Sequence, residues 1–269
     1  MEPAITNDFY SEGFFGYGLK GDFKMWSLAH FIPLIIIGIG TFLIFHFRKK
    51  LASLKHEENV RFIFAAVMLF FEMAYFWRLL YVGSGSTEKT NLLTKLPLQV
   101  CEWSCIFACF MLMKKSPSLY QICFFTCLTA GIFPLFLPSV ISTTGPTYFR
   151  YYQYWAEHIL PILAVFYMTF VYGYRPSIKE IYKPFIFLFT LAVIACIANY
   201  YIPDANYLYL AHDTTGISIT SWLPDNVFLK LFVLSIGALS LFVIVYFASK
   251  LVMSLYSKWE EKKKLQEAK

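Results

Sequence analysis

Charge is what this chain has little of. Only 15% of its 269 residues are charged, against 58% hydrophobic and 20% aromatic. A soluble domain carries about 25% charged residues. With a mean hydropathy of +0.55, one water-facing core cannot hide so much apolar surface, and lipid must cover the rest. The pattern also speaks against nucleic acid as a partner. The net charge of +6 comes from Lys and Arg in short connections between apolar runs, not from a basic patch interleaved with aromatics.

Other absences narrow the reading further. No cleavable signal peptide is expected, because the first 25 residues are mixed polar and aromatic and carry Asp8, Glu12 and Asp22. The apolar run that follows is about 22 residues long, beyond the roughly 7–15 of a signal core, and should stay in the membrane. No Gly follows Met1 and no prenylation box closes the chain. None of the six cysteines has the two-residue spacing of a zinc knuckle, so no metal and no cofactor is expected. No internal repeat or low-complexity linker interrupts the chain. It reads as one integral membrane domain over 1–269, with an extracytoplasmic segment 1–25 and a cytoplasmic tail 257–269.

What is present is a series of apolar stretches near the 20 residues a membrane helix needs. Seven qualify: Trp26–Phe47, Val60–Tyr81, Leu96–Met113, Tyr120–Val140, Tyr148–Tyr172, Pro184–Ile202 and Val227–Met253. The expected fold is therefore all-α, a polytopic bundle of seven transmembrane helices. Alternate connections and the tail hold sixteen Lys and Arg, and the opposite side holds six. Basic residues stay inside, so the N-terminus should lie outside and the C-terminus in the cytoplasm. The expected location is the cell membrane.

Ionisable residues within such spans cost about 2.5–3.5 kcal/mol each on insertion scales. Glu72, Arg78, Glu102, Glu157 and His158 all fall there, so they must face one another or a wet cavity. Arg78 is expected to pair with Glu102 or Glu157, either to fix helix register or to serve a site. Tyr154 and Arg150, four and eight residues before His158, suggest a polar stripe. Pro161, three residues after it, should free a carbonyl near its level.

Cys101 sits close to the start of its span, where Pro97 suits a helix first turn and the helix dipole favours a thiolate. With His158 taking its proton, it would attack an acyl carbonyl. Both residues fall in the outer half of the membrane, which implies a lipid substrate. Cys101, Cys105 and Cys109 recur every four residues; small apolar packing explains this better than a metal or redox stripe. The loop Asn206-Tyr207-Leu208-Tyr209-Leu210 either covers the mouth of the site or is an ordered aromatic loop at the interface. Asn199 is a candidate donor to an oxyanion or to a neighbouring helix.

Leu96-Pro97-Leu98-Gln99-Val100-Cys101, Gly145-Pro146, Trp155-Ala156-Glu157-His158-Ile159-Leu160-Pro161 and Asn206-Tyr207-Leu208-Tyr209-Leu210 recur in that order along nearly the whole chain. Together they resemble the bacterial YwaF family of integral membrane proteins. That family is related to the transmembrane protein 164 acyltransferase and, more distantly, to the androgen-induced-gene fatty-acid-ester hydrolases. The resemblance implies acyl transfer in the membrane, with Cys101 matching the nucleophile and His158 the base. Gln99 stands where related sequences often carry His. The expected function is thus a cysteine-dependent acyltransferase or hydrolase of phospholipid or other fatty-acyl esters, forming a thioester. Glu157, Arg78 or Asn199 would orient His158 or steady the oxyanion. Membrane lipids are the expected partners, and no protein partner is identifiable. The competing reading is a non-enzymatic transporter or lipid-binding protein, which would need polar residues in the inner halves of the spans as well.

Overall fold

A computed structural model describes residues 14, 23–83, 93, 96–138, 145–211, 223, 224 and 226–267. Among them the chain is all helix and loop, with no strand. In chain order the helices are α1 Leu28–His46, α2 Arg48–Ala52, α3 Glu57–Gly83, α4 Val100–Lys114, α5 Pro117–Leu128, α6 Phe133–Phe136, α7 Phe149–Phe170, α8 Tyr182–Tyr201 and α9 Val227–Glu267. Short 3₁₀ turns stand at Ile178–Glu180 and Tyr207–Tyr209.

Helix α7 is the axis of the molecule. Fifteen of its 22 residues are buried, and α1, α3, α4 and α5 all pack against it. Small side chains let α3 and α4 come close. Ala65, Ala108, Cys105 and Cys109 are buried at their contact, and the two thiols lie against the Met68 and Ala65 carbonyls at 3.9 and 3.4 Å. The cysteine stripe is thus a packing seam for two of its three members.

Helices α8 and α9 lie at the edge of this core, both packing on α5 and on each other, and α9 sends the fully buried Phe242 into it. Four segments are long and apolar enough to cross a membrane: Leu28–His46, Pro117–Phe136, Ile178–Tyr201 and Val227–Lys258. Their burial separates them. The share buried is 56% for Pro117–Phe136 but 11%, 17% and 6% for the others, so those three turn most of their apolar side chains outward, where lipid can take them. The remaining apolar stretches fold as α3, α4 and α7, the helices that hold the buried Glu72, Glu102 and Glu157.

Local chemistry sets the helix ends. Ser116 caps α5 through the Leu119 N–H at 3.3 Å, with Pro117 in the first turn. The stretch expected as one helix over Tyr120–Val140 instead stops at Leu128 and resumes as α6. Gly131 sits in this break. A Cβ there would lie 2.4 Å from the Cys127 carbonyl oxygen, a close approach that only glycine permits. His30 is fully buried. Its Nδ1 accepts the Trp26 N–H at 3.2 Å and its Nε2 meets the Leu135 carbonyl at 2.8 Å. Nε2 fastens α1 to α6, and Nδ1 closes the turn that precedes α1.

Candidate active site at the start of α4

Helix α4 begins at Val100, three residues beyond Pro97, which lies ahead of the helix and not in its first turn. Gln99 is the N-cap, and the Glu102 carboxylate accepts its backbone N–H at 2.9 Å, the reciprocal pairing of a capping box. Cys101 is therefore the second residue of the helix. Its side chain stands where unpaired first-turn N–H groups and the helix dipole concentrate positive potential.

Helix α7 supplies the other half. Cys101 Sγ, a Glu157 carboxylate oxygen and a His158 ring nitrogen all lie within 4.8 Å of one another. Glu157 and His158 are buried and Cys101 is half-buried. His158 Nδ1 is 2.7 Å from the Tyr154 carbonyl. A carbonyl can only accept, so in the neutral ring Nδ1 carries the hydrogen and Nε2 keeps its lone pair. The Tyr154 ring packs against the imidazole at 4.4 Å between centroids, and its hydroxyl donates to the Pro134 carbonyl at 3.0 Å. A backbone carbonyl and a phenol ring thus hold the imidazole, and the Glu157 carboxylate is not its orienting group.

Glu157 has its own supports. Gln153 Nε2 donates to it at 2.8 Å, and Arg150 Nη1 stands 3.6 Å away. Arg150 also donates to the Gln153 side-chain oxygen and lies 5.7 Å over the Tyr154 ring. Arg150 thus stands beside Glu157, where the sequence had offered Arg78. The Arg78 backbone lies in α3, and its side chain falls outside the described residues. Glu102 and Glu72 come within electrostatic reach of Glu157 and Cys101. The buried Glu72 Oε2 has no hydrogen-bond partner among the described residues.

The loop after α8 closes over this end. Asn199 grips Tyr207 twice, donating to its carbonyl at 3.0 Å and accepting its N–H at 2.7 Å. Tyr207 Oη accepts the Leu96 N–H at 2.7 Å and donates to the Leu93 carbonyl. Burial raises this phenol above its ordinary 10.0, which keeps it a donor. The Leu208 N–H reaches Gln99 Oε1 at 3.3 Å, and Asn206 Oδ1 accepts the Ala211 N–H at 3.2 Å. Leu208 and Tyr209 hold positive φ of 54° and 56°, a conformation costing about 1–2 kcal/mol per residue. Asn199, Asn206 and Tyr207 therefore build a strained roof on the capping residue of α4. Asn199 spends its amide on that roof.

A profile of the TMEM164 family matches residues 25–262. The chain belongs to the TMEM164 family. Comparison with curated proteins and with solved structures returns no match. The stretch common to this chain and the TMEM164 family spans every helix that builds the site. Family membership and the four long apolar helices together identify a membrane protein. Sequence reasoning did not find Gln153, although the spacing of Arg150, Gln153 and Glu157 at i, i+3 and i+7 was readable as one helical face.

Proposed function

We propose that this TMEM164-family chain is an acyltransferase or lipid-ester hydrolase embedded in the cell membrane, acting on phospholipid or other fatty-acyl esters through Cys101 and His158. The observation that carries this reading is the meeting of thiol, imidazole and carboxylate within 4.8 Å. His158 Nε2 takes the thiol proton. The thiolate attacks the ester carbonyl carbon, and the oxyanion forms beside the first-turn N–H groups of α4, donors that gain strength where water is excluded. The tetrahedral intermediate collapses, the C–O bond breaks, and the departing alcohol takes the proton from Nε2. A lipid hydroxyl or water, deprotonated by the same nitrogen, then cleaves the thioester and restores the thiol. Glu157 supports the imidazolium electrostatically, while Arg150 and Gln153 hold Glu157.

The topology that goes with this reading is a single domain of seven crossings, α1, α3, α4, α5 with α6, α7, α8 and α9. The N-terminus is outside, and the site lies in the outer half of the membrane. We also read the chain as related to the bacterial YwaF proteins and, at greater distance, to the androgen-induced-gene hydrolases, on the motifs at 96–101, 145–146, 155–161 and 206–210. Membrane lipids are its substrates.

The test is acyl-enzyme trapping. Purified chain is incubated with an alkyne-tagged fatty-acyl phospholipid, and a hydroxylamine-labile adduct is mapped to a peptide. The adduct should appear on Cys101, vanish in Cys101→Ala, and form about 10²–10⁴-fold more slowly in His158→Ala. Native chain that turns over the lipid without any adduct on Cys101, or an adduct on another residue, overturns the assignment.

A further inference from the structure

The site holds more acidic groups than the acyl chemistry uses. Glu72 on α3, Glu102 on α4 and Glu157 on α7 interact electrostatically, and among the described side chains in that network Arg150 is the cation. Among the described side chains, three carboxylates and a thiol thus face one guanidinium in a low-dielectric interior. Buried charge of one sign needs a counter-charge or protonation. The Glu72 oxygen left without a partner, on a residue only 3% exposed, belongs to the same imbalance.

The donors closest together are also of three kinds: thiol, imidazole and carboxylate. Zinc takes this mixture, whereas magnesium and calcium take oxygen alone. The His158 ring already shows the support that metal-bound histidines have, one nitrogen engaged by a carbonyl and the other with no hydrogen bond among the described residues. Glu157 is likewise steadied from behind by Gln153. A doubly charged ion with one thiolate, one carboxylate and one neutral imidazole is a neutral unit, which suits a site within a membrane. Zinc bonds of about 2.0–2.3 Å set donors about 3.4–3.6 Å apart. From separations within 4.8 Å, the three need to draw in by no more than about 1 Å.

We propose that this pocket binds a zinc-class divalent cation through Cys101 Sγ, the Glu157 carboxylate and Nε2 of His158, and that the bound ion withdraws the thiol from acyl chemistry. Binding forms the S–Zn bond and releases the thiol proton to solvent. The fourth position stays open to water. The blocking half of the proposal rests on the acyl-transfer reading; the binding half does not.

Cobalt(II) is the probe, because its thiolate complexes absorb in the near-ultraviolet and zinc's do not. The full chain in lipid nanodiscs should develop this band with one equivalent of cobalt and lose it when zinc is added. The band should be missing in Cys101→Ala. Cobalt affinity should fall by about tenfold or more in Glu157→Gln, which keeps the side-chain shape. On the unaltered chain, saturating zinc should slow alkylation of the Cys101 peptide, read by mass spectrometry, by about tenfold or more. A band that survives Cys101→Ala, or alkylation of Cys101 indifferent to zinc, overturns the proposal and leaves the acyl-transfer reading standing. A cobalt band on a Cys101 that no acyl lipid labels supports the metal site and removes the acyl-transfer reading.

Discussion

At the scale of single residues, the geometry of α7 decides which side chains act together. Successive residues turn by about 100° around a helix. Seven steps from Arg150 return to within about 20° of its direction, and eight leave it about 80° away. Arg150 therefore meets Glu157, with Gln153 between them, and not the imidazole of His158. The sequence stripe holds in steps: Arg150 lies over the Tyr154 ring, and Tyr154, four residues before His158, packs against its imidazole at a tilt. Glu157→Gln removes the charge facing Arg150 and keeps the Gln153 contact. We expect the variant to fold and to form the acyl adduct more slowly by about tenfold or more, the scale of a lost charge-assisted contact of about 1.5–3 kcal/mol. An unchanged adduct rate would show that Glu157 does not support the imidazolium. The thiol and imidazole were legible beforehand because reactive groups stand out in apolar spans. Their spacing was not, because it depends on how α4 and α7 cross.

At the scale of elements, a second buried cluster locks the end of the bundle remote from the site. Arg61 pairs with Glu57 one turn earlier at 2.9 Å and donates to the Leu112 and Met113 carbonyls in the last turn of α4. Tyr167 and Tyr172 donate to the same carboxylate, tying the end of α7 to α3. The i, i+4 spacing of Glu57 and Arg61 was plain in the sequence, but the two phenols and two carbonyls depended on tertiary packing. Arg61→Ala leaves Glu57 buried without its cation, which costs about 3–5 kcal/mol and should lower Tm in detergent by several degrees. The cluster also predicts a pH response. Burial pushes the Glu57 carboxyl up, but hydrogen bonds from Tyr167, Tyr172 and Arg61 and the charge of Arg61 outweigh it, so it lies below its ordinary 4.5. A depressed carboxyl contributes stability above about pH 4.5 that is lost as pH falls through its folded value. Tm should therefore fall with acid in that window, and Glu57→Gln, already weaker at neutral pH, should show a shallower fall. An identical acid profile in the variant would refute this. The break at Gly131, by contrast, was hidden in a continuous apolar run, because hydropathy cannot sense a backbone approaching a carbonyl.

At the scale of the whole molecule, polar side chains gather in the core helices and the outer helices carry apolar faces. The all-helical class and the apolar stretches were readable from composition and run length alone. Which helices lie inside was not, because burial depends on tertiary packing: α5 and α7 bury most of their residues, whereas α3 turns Phe62, Ile63 and Phe70 outward. Helix α9 has 41 residues, about 60 Å at 1.5 Å each, roughly twice the hydrocarbon thickness. Removing the chain after Ser257 should leave Cys101 labelling unchanged, and a lost adduct would show that the tail reaches the site. The roof has a wider effect. Leu208, Tyr207 and Asn199 are fastened to each other and to the cap of α4, so traffic from above meets a bolted ceiling. On the acyl-transfer reading, lipid-soluble molecules enter from the side, between the helices. A membrane-soluble maleimide should therefore outpace a charged one at Cys101, and Asn199→Ala, by unfastening the ceiling, should narrow the gap between them.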